Sequence, residues 1–277
     1  MNCPLCNTHT MKVAYAGPIR GGCAAEILQC RSCGVQHYAG ALKLADYQSG
    51  TYRDSVGHDM HGDTLNTILP FREFNGKVVV DVGCGGGHYL ELAANAGAVV
   101  YGVEPDERER AALTDRYPVF ESLDAARHVK ADFILCLTVI EHVENPVEFL
   151  RQMGDMLAPV TGRIILTTPN RNSLLMRILD FDYCKWFYRP AHRWYWDKSS
   201  LAQTLAMAGL QTGAEISYEP YGFWNFVHWL KEKQPGKGWM PEGMKNYEAM
   251  DFAIKAWEMD IEGGHYLLNI VSKGTKQ

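Results

Sequence analysis

The stretch Val78–Gly87, VVVDVGCGGG, read together with Val99–Asp106, VVYGVEPD, decides the fold. Three valines make an apolar β-strand that ends in Asp81 and enters a loop of form G-x-G-x-G at Gly83, Gly85 and Gly87. There the backbone passes close beneath a ligand that any Cβ would meet. A helix is predicted to begin near Gly87. The second apolar strand ends in Glu104, followed by Pro105, and an acid at that place accepts hydrogen bonds from two vicinal ribose hydroxyls. The two segments thus predict half of a nucleotide-binding site. A dinucleotide is the competing ligand, because Gly83-x-Gly85-x-x-His88 comes close to the G-x-G-x-x-G pattern that sets a pyrophosphate on a helix N-terminus. Asp81 counts against it, since a negative charge beside the loop repels a pyrophosphate and suits a cation.

Working outward, strands near 78–82, 99–103, 118–120, 132–137 and 163–167 alternate with helices near 87–96, 107–116 and 145–157, a βαβ rhythm that predicts a parallel sheet. Residues 213–220 (GAEISYEP) and 265–274 (HYLLNIVSKG) read as two further strands. The fourth strand opens at Asp132-Phe133 and leads to Glu141-His142-Val143, and the fifth leads to Thr168-Pro169-Asn170. With Asp81-Val82-Gly83-Cys84-Gly85-Gly86-Gly87 and Glu104, these residues resemble the class I S-adenosylmethionine (SAM) methyltransferases. The resemblance implies an α/β fold with a Rossmann-like seven-stranded sheet in the order 3-2-1-4-5-7-6. It implies a SAM site at Asp81, Gly83, Gly85, Gly87, Glu104 and Pro105, with adenine near Ser122 and Leu123, although Glu-Ser-Leu stands where an Asp is commoner. Ligands of open α/β sheets bind at the carboxyl ends of strands, so Leu137, Thr138, Glu141 and His142 are expected to face the methyl group. His142 has two readings, a base for a hydroxyl acceptor or a residue that hydrogen-bonds backbone at the strand end. Some relatives hold a divalent ion through E-x-x-E-H; here Thr138 replaces the first acid, leaving Glu141, His142 and the distant His192.

The cysteines divide by spacing. Cys3-x-x-Cys6 and Cys30-x-x-Cys33-Gly34 are two knuckles that complete a tetrahedral zinc site, with Gly34 at the positive φ such turns use. Between them, MKVAYAG and AAEILQC read as a hairpin. Four thiolates leave no open position, so the zinc is expected to be structural, holding a segment too small to fold without a staple. Disulfides are the alternative. Domain organisation follows as a zinc ribbon over 1–40, a helical connector over 41–75 containing Tyr47, Tyr52, His58 and His61, and a SAM-dependent methyltransferase domain over 76–277 with cap insertions at about 172–197 and 221–260.

The first insertion carries FDYCKWFYRPAHRWYWDKSSL, residues 181–201. Its aromatics are either the core of a helical cap or the lining of a cavity that stacks on a planar ring or sugar. Tyr183, His192, Arg193 and Trp194, with Tyr52 closing the other side, are the candidate substrate contacts. A helix capped by Asp197 or Ser199 is expected to run to Gly209.

Composition bounds the rest. The chain has 277 residues, 47% hydrophobic and 21% charged, with a formal net charge of −5, which suits an enzyme more than a protein built to follow a phosphate backbone. No apolar stretch approaches a membrane span and no secretory pattern is present, so the expected location is cytoplasmic. Two function classes compete: methyl transfer to a small molecule, sugar or glycan precursor, with oxygen favoured, and an RNA methyltransferase whose ribbon binds nucleic acid. The acidic total, the lack of an N-P-P-Y motif and only three cations in the first 40 residues favour the first.

Overall fold

The structure is a computed structural model describing residues 1–41, 65–236 and 248–274. Its centre is a seven-stranded sheet built from β4 (Val78–Val82), β5 (Val99–Val103), β6 (Val119–Phe120), β7 (Phe133–Leu137), β8 (Arg163–Pro169), β10 (Leu210–Tyr218) and β11 (Tyr266–Lys273). The spatial order is β10-β11-β8-β7-β4-β5-β6. Counted from β4 as the first strand, that order is 3-2-1-4-5-7-6. Strands β4 to β8 run parallel, and β11 is antiparallel to both β8 and β10. The parallel strands are covered on both faces, which is why Val79, Val80, Ile134, Leu135, Ile164 and Leu166 form near-continuous apolar runs instead of alternating.

The layers come from α1 (His88–Asn95), α2 (Glu107–Ala111), α3 (Leu123–Ala126), α4 (Pro146–Met156), α5 (Leu174–Leu179), α6 (Phe181–Phe187), α7 (Lys198–Met207), α8 (Gly222–Glu232) and α9 (Glu248–Asp260). Helix α2 ends short of the expected 107–116. Asp106 caps it by accepting from Arg108 N and Glu109 N, yet it buries no residue, and a helix without an apolar face against a partner does not propagate. Helix α7 starts at a capping box between Asp197 and Ser200 and stops before Gly209, at φ +75°. Of the connector, residues 65–68 are helical and Phe71–Glu73 is a 3-10 turn; Tyr47, Tyr52, His58 and His61 lie outside the described residues.

A second sheet departs from expectation. Strands β1 (Met11–Pro18) and β2 (Ala24–Cys30) form the predicted hairpin, and β3 (Gln36–His37) adds to it. The fourth strand of that sheet is β9 (Trp194–Tyr195), which pairs Gln36 with Tyr195 and His37 with Trp194. The cap insertion is therefore not an independent helical unit: it lends a strand to the N-terminal ribbon. Cys3, Cys30, Cys33 and Val35 pack in one apolar cluster with Ile140, Trp194, Trp196 and Leu201 of the large domain.

Candidate active site

The loop after β4 takes its shape from three left-handed glycines, Gly83 (φ +74°), Gly85 (φ +48°) and Gly87 (φ +82°). They serve different ends. A Cβ on Gly83 would lie 2.6 Å from Val139 Cγ2 and one on Gly87 2.7 Å from Leu113 Cδ2, so both are glycine for the protein's own packing. A Cβ on Gly85 or Gly86 would meet no protein atom within 4 Å, so these two front open space, where the backbone can approach a ligand closely. Glu104 clasps this loop: its Oε2 accepts from Gly85 N at 2.8 Å and its Oε1 from Asp106 N at 2.9 Å. Each oxygen keeps a second lone pair that can accept from a ligand hydroxyl. Burial raises the Glu104 carboxyl above its ordinary range against those two amides.

Asp81 is buried at the strand end, and burial, helped by the charge of Glu104, pushes its carboxyl up to about 7. Its Oδ2 has no partner among the described residues. Pro105 is half-buried beside this acid pair. Ser122 caps α3 by accepting from Ala125 N at 3.2 Å, and Leu123 is packed into the core, so its side chain acts as scaffold.

Half-buried Leu137 ends β7 and Thr138 follows with φ +57°, an outlier for a β-branched residue. It is held there by Thr138 N donating to Thr167 O (3.0 Å) and Oγ1 (3.1 Å), and by its own hydroxyl donating to Leu137 O (2.7 Å). This sharp turn leads into the 3-10 turn Ile140–His142. Glu141 is buried there; its Oε2 accepts from Thr168 Oγ1 at 3.2 Å, its Oε1 has no partner among the described residues, and burial pushes its carboxyl up to about 7. His142 Nδ1 lies 3.0 Å from Ala191 O. A carbonyl only accepts, so Nδ1 carries the proton and Nε2 is the basic nitrogen of the neutral ring.

The cap residues fare unequally. His192 is buried, its ring 4.8 Å from that of His142, and burial together with the charges of His142, Arg189 and Arg20 drives its pKa well below the ordinary value. Glu141, His142 and His192 present ligand atoms all within 4.8 Å of one another. Arg193 donates its backbone N–H to Glu141 O at 2.8 Å, and its guanidinium reaches Glu144 at 4.0 Å. Tyr183 and Trp194 correct the expectation of cavity walls. Tyr183 is 4% exposed and packs on Trp229 and Phe187; Trp194 is 2% exposed and donates Nε1–H to Val143 O at 2.8 Å. Large aromatics at one chain locus are core here because two sheets meet there. Tyr52 lies outside the described residues.

Sequence reasoning missed a buried acid–base group on the same edge: His265 Nδ1 contacts Glu219 Oε2, and Glu258 from α9 is so buried beside Glu219 that its carboxyl is raised to about 10. The available signal was a lone polar residue just after one apolar strand and just before the next.

At the far end of the ribbon, Cys3 Sγ lies 3.8 Å from Cys33 Sγ and Cys6 Sγ 3.6 Å from Cys30 Sγ, all four within 4.8 Å. Thiolates about 2.3 Å from a tetrahedral zinc stand about 3.8 Å apart, so the set fits that ion. All four are free thiols. Burial raises Cys3 to about 11, whereas at Cys30 burial is overcome by hydrogen bonds from Thr10, Thr8 and backbone amides that bring it down to about 5. Gly34 holds φ +75° after the second knuckle.

The sequence pattern of the methyltransferase-domain family matches residues 56–214, more than half of the chain. The chain belongs to that family. Its sheet is the one found in class I SAM-dependent methyltransferases: the methyltransferase from Archaeoglobus fulgidus superposes with a TM-score of 0.53 at 17% identity, covering 78% of this chain and 94% of that one. This methyltransferase chain is also 33% identical over 167 residues to a ubiquinone biosynthesis O-methyltransferase of Dinoroseobacter shibae, covering 54% of this chain and 65% of the relative. A second such enzyme, from Aromatoleum aromaticum, is 31% identical over 192 residues, 57% of this chain and 81% of the relative. The match thus spans just under two thirds of the first relative's length. Among the described residues, no helix is long and apolar enough to cross a membrane.

Proposed function

We propose that this methyltransferase moves the methyl group of SAM to a hydroxyl oxygen of a small molecule. The observation that carries the reading is that the glycine loop and the histidine turn share one edge. Gly83 packs on Val139, which opens the turn that ends at His142, while the Nδ1 proton of His142 is fixed on Ala191 O. Glu104, aimed by the Gly85 amide, holds the ribose, and Asp81 faces the cationic donor. His142 Nε2 takes the acceptor's hydroxyl proton as the oxygen forms its bond to the methyl carbon; the C–S electron pair remains on sulfur. Most of the rate comes from alignment of oxygen, carbon and sulfur. The relatives named for ubiquinone biosynthesis support oxygen as the accepting atom and a small-molecule acceptor over RNA. The ribbon's zinc, held by Cys3, Cys6, Cys30 and Cys33, supplies structure and no chemistry.

The test is transfer of labelled methyl from SAM to a panel of phenolic and sugar hydroxyls against total RNA. Label in the small-molecule fraction is expected; label confined to RNA would refute it. Glu104→Ala is expected to weaken SAM binding by roughly 2–4 kcal/mol in calorimetry. His142→Ala is expected to lower kcat by roughly 10²–10⁴ with SAM affinity retained; a loss under about threefold would leave His142 as scaffold.

A second reading is favoured by Glu141 Oε1 and His192 Nδ1, which have no partner among the described residues and belong to side chains grouped with His142. These three side chains would hold a divalent ion that polarises the acceptor oxygen. Activity that survives chelation in a zinc-replete protein excludes it.

A further inference from the structure

We infer that the cysteine ribbon is a positioning element for the catalytic turn, acting through Trp194 and not through any contact with substrate. This rests on the proposed role of His142. The path from knuckle to turn is an unbroken run of hydrogen bonds and strand pairing. The second knuckle closes with Gly34 N donating to Cys30 O (3.0 Å) and Cys30 N to Val35 O (2.9 Å). Val35, fully buried, leads directly into β3, whose Gln36 and His37 pair with β9. Tyr38 N donates to Arg193 O (2.9 Å), and Tyr188 OH donates to Gln36 Oε1 (2.9 Å), locking ribbon to cap from both sides. From β9 and the residue before it two hydrogen bonds reach the turn that carries His142: Arg193 N to Glu141 O at 2.8 Å and Trp194 Nε1 to Val143 O at 2.8 Å. They flank His142 on both neighbours. The turn itself is entered by His142 N donating to Val139 O at 3.0 Å.

The arrangement also says what the ribbon is not. Its β3 is paired on both sides, by β2 and by β9, so that edge is consumed inside the molecule. The His37 ring, 4.6 Å from Trp194, is half-buried and kept neutral by burial and by Arg193, which lower its pKa to about 4. A ribbon spent in this way braces β9 and, through it, the turn that carries His142.

Two tryptophans give a matched experiment. Trp194 and Trp196 stack at 6.4 Å, both are almost fully buried, and each donates its indole N–H, Trp194 to Val143 O and Trp196 to Thr204 Oγ1 at 3.0 Å. Phenylalanine at either place removes one buried donor, but the bond lost from Trp194 is the one made to the residue beside His142, whereas the bond lost from Trp196 is made to α7. In Trp194→Phe, hydrogen exchange at the His142 amide is expected to rise about tenfold, the loss of one buried hydrogen bond. The His142 ring, read by ¹⁵N NMR, is expected to lose its preference for the Nδ1–H tautomer. In Trp196→Phe both are expected to match wild type, and SAM affinity by calorimetry stays within about twofold in both variants. Equal behaviour of the two variants at His142, changed or unchanged, would overturn the inference. His37→Gln approaches the same turn from the ribbon side and serves if Trp194→Phe does not fold; an unaltered His142 signal there would overturn it too. Because none of these readouts needs methyl transfer, failure of SAM binding in the wild type would count against the proposed function alone.

Discussion

The loop half of this protein and its ribbon–cap half build their sites by opposite means. In the loop half, function is carried by backbone: three glycines at positive φ, two strands that end in acids, and a carboxylate that clasps its own loop at Gly85. In the ribbon–cap half, it is carried by side chains that burial brings together from distant parts of the chain, as with Cys3 and Cys33 or Gln36 and Tyr188. Backbone sites tolerate change around them and fail when one φ is lost; side-chain sites fail when any one partner goes.

The largest test of that contrast is Cys30→Ser with Cys33→Ser. A structural zinc contributes on the order of 10 kcal/mol to a small metal-bound unit, and here the knuckle shares a core with Trp194 and Ile140. Metal analysis is expected to fall from about one zinc per chain to none, with the N-terminal segment opened to protease. Undiminished zinc would refute the site.

Next comes a pair of alanine substitutions within the loop. Gly87→Ala must leave φ +82° or push into Leu113, and is expected to cost roughly 2–4 kcal/mol of folding stability in denaturant titration. Gly85→Ala meets no protein atom, so it is expected to cost only about 1–2 kcal/mol of stability while weakening SAM binding at least as strongly. If the two variants rank the other way in stability, the division of labour among the glycines is wrong.

The smallest effect is a proton. Folding raises the Asp81 carboxyl from 3.8 to about 7, so the unfolded chain releases that proton first and the unliganded protein loses stability as pH climbs from about 4 through 7. A cationic ligand favours the ionised form. SAM binding at about pH 6 is therefore expected to release close to one proton, visible as a buffer-dependent heat, and none at about pH 8.5. Asp81→Asn is expected to abolish the difference, which separates Asp81 from Glu141, also raised to about 7. Equal heats in all buffers at the lower pH would show that the donor does not sit against Asp81.

What the sequence made legible follows the same line. The strands around Asp81, Glu104 and Leu137 are readable because apolar runs and glycines report backbone directly. The two knuckles are readable because a four-cysteine metal site would demand such paired C-x-x-C spacing. The pairing of His37 with Trp194 is not, since two-residue strands leave no periodicity, and Trp194 reads as a cavity wall when it is a buried donor. The meeting of His192 with Glu141 and His142 has no local cause, because nothing in either segment dictates that two such distant stretches should approach. The strained Thr138 that turns the chain toward them has no signature either, being a β-branched residue where glycine is the usual choice.

The shared strand also sets an order of events during synthesis. The cysteines emerge first and their knuckles close locally, but β3 waits for a partner in the cap: Gln36 and the Tyr188 hydroxyl it receives are 152 residues apart. At about 5–20 residues per second, the ribbon carries an unpaired edge for roughly 8–30 s, long enough for it to be a template for other chains. The half of the molecule that is made first is thus completed late, and until β9 arrives the protection of that edge depends on whatever else in the cell will cover it.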